Sequence, residues 1–283
     1  MPSVFVVGVG AVGEVTARTL ATQGCVVTAL MHHRRDDVAQ RLAAGGVRVV
    51  NGDIGTGVAW AEAGGGADAW ILTPRADFAA DALMRLAEIA PRLVVFSSNN
   101  VAIHPEASTY RALAAAETQL RARFANLAII RPTMIYGDPR LPTVTRVMRI
   151  ARAWPLIPAP GNARVQPVFH EDLARLAAGL AASSETGIFA AGGPDIVSMR
   201  ELFVAARNVC GGRGAVVSVP QVALRTGAFL FAGRGLLSLE QASRVDRDRI
   251  AVPQTPLPPA LAPRVRLADG LARLWAAMQA QAA

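Results

Sequence analysis

The 283-residue chain contains no lysine, and arginine supplies all 29 of its basic residues. Mechanisms that need a lysine, such as Schiff-base chemistry or phosphate binding by a P-loop lysine, are therefore excluded. Codon bias in a GC-rich genome is the simplest explanation, because alanine and glycine are also frequent. The net charge of +8 would suit a polyanionic partner, but the arginines are scattered and not interleaved with aromatic residues. We therefore expect no nucleic-acid partner.

Cysteine and long apolar runs are also scarce. Cys25 and Cys210 are far apart and show neither a metal-ligand spacing nor a disulfide framework, so we expect no metal site. The longest stretch without Asp, Glu or Arg runs from Thr19 to His33, which is shorter than the roughly 18 residues of a membrane-spanning helix. Glycines interrupt the apolar amino terminus where the hydrophobic region of a signal peptide would lie. These features predict a cytoplasmic protein without a membrane span.

Hydrophobic residues, in contrast, make up 52% of the chain. They form short β-branched runs that alternate with alanine-rich amphipathic stretches, and the runs are apolar on both faces, as in a parallel sheet covered by helices. Six such units in the first half predict a doubly wound, Rossmann-type α/β sheet. The predicted strands are residues 4–7, 26–30, 47–50, 69–72, 93–96 and 127–130, and the predicted helices are 12–23, 37–44, 79–90 and 108–124.

The second half has a looser pattern in which proline is frequent. Two capping boxes, Ser198 with Glu201 and Ser238 with Gln241, predict helix starts. Further predicted elements are a helix over residues 143–153, a strand over 216–219, and a final helix near residue 275 that follows a proline-rich connector at 253–263.

A glycine pattern follows the first predicted strand. Gly8, Gly10 and Gly13, with Ala11 and Val12 among the intervening residues, form G-x-G-x-x-G at the start of a predicted helix. In a strand–turn–helix context this pattern indicates dinucleotide binding. The first glycine permits the tight turn, the second lets a pyrophosphate approach the backbone, and the third lets the helix pack on the strand. We predict that these five residues contact the cofactor.

The second predicted strand ends without the carboxylate that binds the adenosine ribose of NAD, and a run from His32 to Arg35 lies there instead. Guanidinium groups bind phosphate oxygens in a bidentate fork. His32, Arg34 and Arg35 therefore predict a 2′-phosphate site and a preference for NADP(H) over NAD(H). The alternative is a solvated helix start that Asp36 and Asp37 cap.

Two further strand ends supply predicted cofactor contacts. Asp53 and Ile54 follow the third strand, where the adenine edge would lie. Thr73 and Pro74 end the fourth strand and should line the cofactor ribose. We therefore expect a dinucleotide-binding domain at residues 1–137. Residues 138–283 would form a smaller substrate or partner lobe, in which 165–190 return to the sheet.

Several segments together resemble the extended or atypical short-chain dehydrogenase/reductase superfamily, the NAD-dependent epimerase/dehydratase group. The resemblance implies an NAD(P)-dependent oxidoreductase or epimerase for a carbonyl or sugar-like substrate, with Ser97, Tyr110 and Pro132 among the cofactor contacts. A narrower resemblance, in residues 165–173 and 235–248, is to relatives of the 39-kDa accessory subunit of respiratory complex I. The matching segments of the superfamily are the glycine turn, residues 52–54, 95–98 with Val101, 131–137 and 166–173.

The same resemblance implies a catalytic set that is incomplete in this chain. In active members a tyrosine exchanges the proton, a lysine one helical turn later lowers its pKa, and a serine or threonine positions the substrate. Ser98 and Tyr110 match two of these positions, but Ala114 lies at the lysine position, and Glu117 keeps the family's helix pattern. An unassisted tyrosine has a pKa of about 10, so only on the order of 0.1% is ionised at neutral pH. His104 is either a substitute acid–base group or a loop histidine.

Three functions therefore stay open. The first is an oxidoreductase or epimerase in which Tyr110 exchanges the proton and Ser98 binds the reacting oxygen. The second is a non-catalytic nucleotide-binding protein, either an accessory subunit or a redox sensor, which would not need the lysine. The third is a substrate-binding module without a cofactor. The partner is accordingly a small-molecule substrate or a protein complex, and a homodimer is left open.

Overall fold

The structure, a computed structural model, describes residues 1–53, 55, 58–86, 91–160, 163–219 and 248–281. The chain forms two compact units. Unit 1 comprises Met1–Pro132, His170–Ala191 and Ala251–Pro263, and unit 2 comprises Thr133–Phe169, Gly192–Ile250 and Arg264–Ala283. The assignment of nucleotide binding to residues 1–137 and of substrate or partner selection to residues 138–283 stays a prediction.

Strands and helices alternate along most of the described chain. The strands are β1 (Ser3–Val7), β2 (Val26–Met31), β3 (Arg48–Asn51), β4 (Ala69–Arg75), β5 (Arg92–Phe96), β6 (Leu127–Pro132), β7 (Met134–Tyr136), β8 (Leu156–Pro160), β9 (Arg164–Val165), β10 (Pro167–Phe169), β11 (Gly187–Ala191), β12 (Val197–Ser198) and β13 (Ala215–Val219). The helices are α1 (Ala11–Thr22), α2 (Asp36–Ala44), α3 (Val58–Gly64), α4 (Ala76–Arg85), α5 (Asn100–Ile103), α6 (Ser108–Arg123), α7 (Pro142–Ala153), α8 (His170–Ala181), α9 (Met199–Cys210) and α10 (Leu267–Ala280), with a short 3₁₀ turn at Pro259–Leu261.

A seven-stranded sheet forms the centre of unit 1. Its strand order is β11-β6-β5-β4-β1-β2-β3, and every neighbouring pair is parallel. The predicted Rossmann-type α/β fold is therefore confirmed, and so are all six predicted strands. One face packs against α3, α4 and α6 around the large buried rings of Phe5, Trp60 and Trp70. Because the strands are parallel, their carboxyl ends lie along one edge of the sheet.

Some helices of unit 1 differ from the predictions. Helices α3 and α5 were not predicted, and α4 covers Ala76–Arg85 rather than residues 79–90. Helix α4 begins directly where β4 ends. It stops at Arg85 because the next residue, Leu86, is extended, and the Leu86 carbonyl accepts a hydrogen bond from the Arg123 guanidinium at 3.1 Å.

Unit 2 contains three two-stranded pairs and three helices among its described residues. Strands β7 and β10 are parallel, as are β8 and β13, whereas β9 and β12 are antiparallel. The capping box at the start of α9 is confirmed. The Ser198 hydroxyl accepts from the Glu201 backbone N–H at 3.1 Å, and the Ser198 N–H donates to the Glu201 carboxylate at 2.7 Å. The box predicted at Ser238 lies outside the described residues.

No helix in the described part of the chain is both long and apolar enough to span a bilayer. Within the same ranges, no three His, Cys, Asp or Glu side chains form a group that could hold a metal ion. Cys25 and Cys210 are free thiols.

Candidate nucleotide and catalytic site

Most of the predicted site residues of unit 1 lie where the parallel strands end. The glycine turn follows β1, the histidine–arginine run follows β2, and Thr73 with Pro74 ends β4. The two serines follow β5, and Pro132 is the last residue of β6. Since β6, β5, β4, β1 and β2 are consecutive neighbours in the sheet, these segments form a continuous row along its carboxyl edge.

Backbone geometry fixes the glycine turn. Gly8 has a φ of +87°, a left-handed conformation that favours glycine, and its N–H donates to the Leu30 carbonyl at 3.0 Å. The Thr73 hydroxyl lies within hydrogen-bond distance of two turn carbonyls, those of Gly8 at 2.6 Å and Val7 at 3.2 Å. A Cβ atom on Gly8 would lie 2.8 Å from the Pro74 ring. The turn is therefore held between the ends of β2 and β4.

The other two glycines have contrasting surroundings. A Cβ atom on Gly13 would overlap the Gly8 carbonyl oxygen, whereas a Cβ atom on Gly10 would meet nothing within 4 Å. Gly10 is the N-cap of α1, and Ala11 and Val12 begin the helix as buried residues. A helix amino terminus presents backbone N–H groups that favour an anion. The open space beside Gly10 therefore fits the predicted approach of a pyrophosphate, and Gly13 has a packing role in the turn.

The two arginines after β2 point to different partners. The Arg35 guanidinium donates to the Val9 carbonyl, so it lies against the glycine turn. The exposed Arg34 side chain instead pairs with Asp36 at 2.7 Å, and this hydrogen bond raises the pKa of Arg34 above its ordinary value. Asp36 lies in the first turn of α2, whose N-cap residue is Arg35. The structure thus brings one of the two arginines to the turn.

The predicted contacts at the ends of β2 and β3 approach each other. The His32 Nδ1 atom lies 3.5 Å from the Asp53 carboxylate, and the His32 and His33 rings are 4.2 Å apart. Asp53 also accepts a hydrogen bond from the Gly55 backbone N–H at 2.8 Å. Ile54, the other contact predicted here, lies outside the described residues.

The two serines after β5 have different environments. Ser97 is buried, and its hydroxyl donates to the Glu117 carboxylate. Glu117 also accepts two hydrogen bonds from the Arg131 guanidinium, of which the one from Nε measures 3.0 Å. Each of these three residues is at most 5% exposed. A charged pair at this depth needs complete hydrogen bonding, so Ser97 belongs to a buried network that joins α6 to β5 and β6.

Ser98 is half-buried and belongs to a second polar group. Its hydroxyl oxygen accepts from the Asn100 backbone N–H at 3.2 Å. The Asn100 side-chain amide donates to the Tyr110 phenol oxygen at 2.8 Å. The structure therefore links the two predicted catalytic residues through Asn100, which the motif analysis did not single out. The available signal was an amide side chain directly after a strand that ends at the site.

The surroundings of Tyr110 also include His104. The His104 ring is buried and stacks on the Tyr110 ring, with centroids 6.2 Å apart and planes 26° apart, and its Nδ1 atom lies 3.7 Å from the Glu106 carboxylate. Ala114 packs against the apolar cluster of unit 1 at the predicted lysine position. The neighbouring Arg111 donates to the Glu106 carbonyl at 2.9 Å.

The chain is similar to known proteins in its structure but not detectably in its sequence. No protein-family model matches the chain, and neither does any curated protein sequence. A solved nucleoside-diphosphate-sugar epimerase from Pseudomonas aeruginosa is 16% identical, with a TM-score of 0.73 over 99% of this chain and 98% of the other. An NADPH-dependent quinone oxidoreductase from Escherichia coli is 15% identical, with a TM-score of 0.69 over 96% and 99%.

A third similar structure is UDP-N-acetylglucosamine 4-epimerase from Bacillus cereus, which is 12% identical, with a TM-score of 0.69 over 99% of this chain and 100% of the other. At identities this low, the similarity establishes the fold alone. The expected resemblance to the epimerase and reductase branch of the short-chain dehydrogenases/reductases is confirmed at that level: the chain has the fold of these enzymes over nearly its whole length.

Proposed function

We propose that the chain is an NAD(P)-binding oxidoreductase or epimerase that acts on a carbonyl or sugar-like substrate, with Tyr110 and Ser98 as catalytic residues. The observation that carries this proposal is the row of segments at the carboxyl edge of unit 1. The glycine turn after β1 and the Ser98 segment after β5 flank the end of β4 in one continuous sheet. Ligands of open α/β sheets bind outside the carboxyl ends of such strands.

The chemistry assigned to the chain's own residues is a proton transfer. When bound, the nicotinamide would supply or accept a hydride. In the reducing direction, the Tyr110 phenol would give its proton to the substrate oxygen, and solvent would reprotonate the tyrosinate that remains. The Ser98 hydroxyl accepts a hydrogen bond from the Asn100 N–H, which leaves its own hydrogen to donate to the same substrate oxygen.

The residues at the glycine turn support a phosphorylated cofactor. The open space at Gly10 and the amino terminus of α1 suit a pyrophosphate. Arg35 lies against the turn, and Arg34, its neighbour in sequence, exposes 75% of its side chain. Two guanidinium groups after β2 support a 2′-phosphate site. We infer from these groups that NADP(H) is preferred over NAD(H).

Nucleotide binding tests this proposal directly. We expect NADPH to bind more tightly than NADH, as measured by nucleotide fluorescence. Arg34→Ala/Arg35→Ala should weaken NADPH binding about tenfold or more, equivalent to about 1.4 kcal/mol, and change NADH binding little. Arg18→Ala removes one exposed arginine from α1 and serves as a control for charge. An unchanged preference for NADPH over NADH in the double variant would contradict the 2′-phosphate site. If the protein bound neither nucleotide, the proposal that it is an NAD(P)-dependent enzyme would be contradicted.

A specific observation favours a second candidate, a nucleotide-binding protein without catalysis. Ala114 occupies the position of the catalytic lysine in the family that this chain resembles, and it packs against the apolar cluster of unit 1. A binding protein has no need of that lysine. Retention of NADPH without its consumption across a broad panel of carbonyl and sugar substrates would favour this candidate. Turnover that Tyr110→Phe abolishes would exclude it.

A further inference from the structure

We propose that Asn100 is a positioning residue that does part of the work of the missing lysine, by donating its side-chain amide hydrogen bond to the oxygen of Tyr110. The proposal rests on the proposed function, in which Tyr110 gives a proton to the substrate. It adds a direction to that function: the arrangement suits Tyr110 as a proton donor, and hence reduction of a carbonyl, better than proton removal from an alcohol.

Asn100 contacts both predicted catalytic groups. Its backbone N–H donates to the Ser98 hydroxyl at 3.2 Å, and its side-chain amide donates to the Tyr110 oxygen at 2.8 Å. Helix α5 begins at Asn100, and its C-cap residue, His104, stacks on the Tyr110 ring. This short helix therefore holds Tyr110 both at its hydroxyl and at its ring.

The direction of the hydrogen bond determines its chemical effect. An amide N–H that donates to the phenol oxygen occupies one lone pair, so the phenol's own hydrogen must point away from Asn100. Once that hydrogen has left, the oxygen carries a full charge. A hydrogen bond to an ionised acceptor is roughly twice as strong as one between neutral groups. Asn100 therefore stabilises Tyr110 more after proton loss than before it.

A neutral amide replaces only part of what a lysine supplies. It offers a hydrogen bond to the tyrosinate but not the long-range attraction of a positive charge. Tyrosinate therefore gains less stabilisation here than a lysine would give it, which suits a proton donor better than a base. This is the reason that the arrangement favours the reducing direction.

Backbone conformation does not explain the presence of asparagine at this position. Asparagine is often selected where a residue must adopt a positive φ, but every residue with positive φ in the described ranges is a glycine. Asn100 also lies inside α5 and is not its N-cap, which is Asn99. The side-chain contact with Tyr110 is the interaction that distinguishes it from a better helix former.

Tyrosine ionisation in the unliganded protein provides a direct test. The chain contains only two tyrosines, Tyr110 and Tyr136, so the ultraviolet absorbance of tyrosinate resolves at most two steps as the pH is raised. Tyr110→Phe removes one step and identifies it. Circular dichroism at each pH confirms that the fold is retained over the range used.

Two substitutions of Asn100 then test this contact, and Asn100→Ala distinguishes between the two possible hydrogen-bond directions. Asn100→Asp places a negative charge next to the phenol and should raise the midpoint of the Tyr110 step by about one pH unit or more. Asn100→Ala removes the donor and should raise it by about half a unit to one unit. Asn126→Asp, an exposed residue before β6, is the control for added charge and should leave the midpoint unchanged.

A lowered midpoint in Asn100→Ala would mean that the phenol donates to the amide, and it would overturn the proposal. An unchanged midpoint in both Asn100 variants would overturn it as well. The titration uses neither nucleotide nor substrate, so its outcome is independent of nucleotide binding. Failure to bind NADPH would therefore refute the proposed function, whereas the titration alone would decide whether Asn100 donates to Tyr110. In turnover assays Asn100→Ala should lower kcat about tenfold and shift the pH profile in the same direction as the titration.

Discussion

The glycine turn and the Tyr110 region lie along the same edge of the sheet but are built from different parts of the chain. The turn is held by main-chain atoms: a positive φ at Gly8, a backbone hydrogen bond to Leu30, and the Thr73 hydroxyl against two carbonyls. The Tyr110 region is held by side chains that contact each other across α5 and α6. Substitutions in the first region therefore act mainly through the backbone and steric overlap, whereas those in the second remove interactions between side chains.

The Tyr110 region itself consists of two layers. A buried layer joins Ser97, Glu117 and Arg131. Beside it, the half-buried Ser98 and Asn100 form a second polar group with the buried Tyr110. Glu117 and Tyr110 lie on the same buried face of α6, two turns apart. The buried layer fixes the helix, which in turn fixes the position of Tyr110.

The largest expected effect is in the buried layer. Glu117→Gln keeps the shape of the side chain but leaves the buried Arg131 guanidinium without its carboxylate. Removing one partner of a buried ion pair costs about 3–5 kcal/mol of the free energy of unfolding. Urea denaturation measures this loss. The exposed Glu62→Gln on α3 is the matched control and should change stability by less than about 0.5 kcal/mol.

A loss below about 1 kcal/mol in Glu117→Gln would show that Arg131 reaches another acceptor. The proposed separation into a structural layer and a chemical layer would then fail, because the network beside Tyr110 would not depend on its carboxylate. A change in the nucleotide affinity of Glu117→Gln without a change in its stability would also contradict this separation.

The second largest effect concerns the turn. Gly13→Ala forces a Cβ atom into the Gly8 carbonyl and should lower the free energy of unfolding by about 3 kcal/mol, at the upper end of the usual range for overpacking. Gly10→Ala meets no atom within 4 Å and should cost less than about 1 kcal/mol. If a pyrophosphate approaches Gly10, the folded Gly10→Ala variant should nevertheless bind NADPH at least tenfold more weakly. Unchanged affinity in that variant would contradict the predicted contact.

How far the sequence predicts each region follows from this difference. The strands of unit 1 are recognisable because each is a short apolar run, and the glycine turn is recognisable because its sequence pattern spans only six residues. The contact between Asn100 and Tyr110 joins residues ten positions apart. This contact depends on the path of the chain between α5 and α6, which no local sequence pattern specifies.

The adjacent serines illustrate the same limit at the scale of one residue. Both follow β5, and the resemblance to a known family assigned roles to both. Which hydroxyl points into the core depends on how the chain leaves the strand, and periodicity no longer applies there. In the structure Ser97 contacts Glu117, whereas Ser98 contacts Asn100. The role of Arg131 likewise depends on Glu117, which lies beside it in the structure but 14 residues earlier in the sequence.

The smallest expected effect on stability separates these two serines. Ser97→Ala removes a hydrogen bond to a buried carboxylate and should lower the free energy of unfolding by on the order of 1.5 kcal/mol. Ser98→Ala removes a half-buried acceptor and should change stability by less than about 0.5 kcal/mol. Turnover should show the reverse order, because Ser98 is the proposed partner of the reacting oxygen. If Ser98→Ala destabilised the protein as much as Ser97→Ala and left turnover intact, Ser98 would be a structural residue. Tyr110 would then be the only one of the two proposed catalytic residues in the Tyr110 region to keep that role.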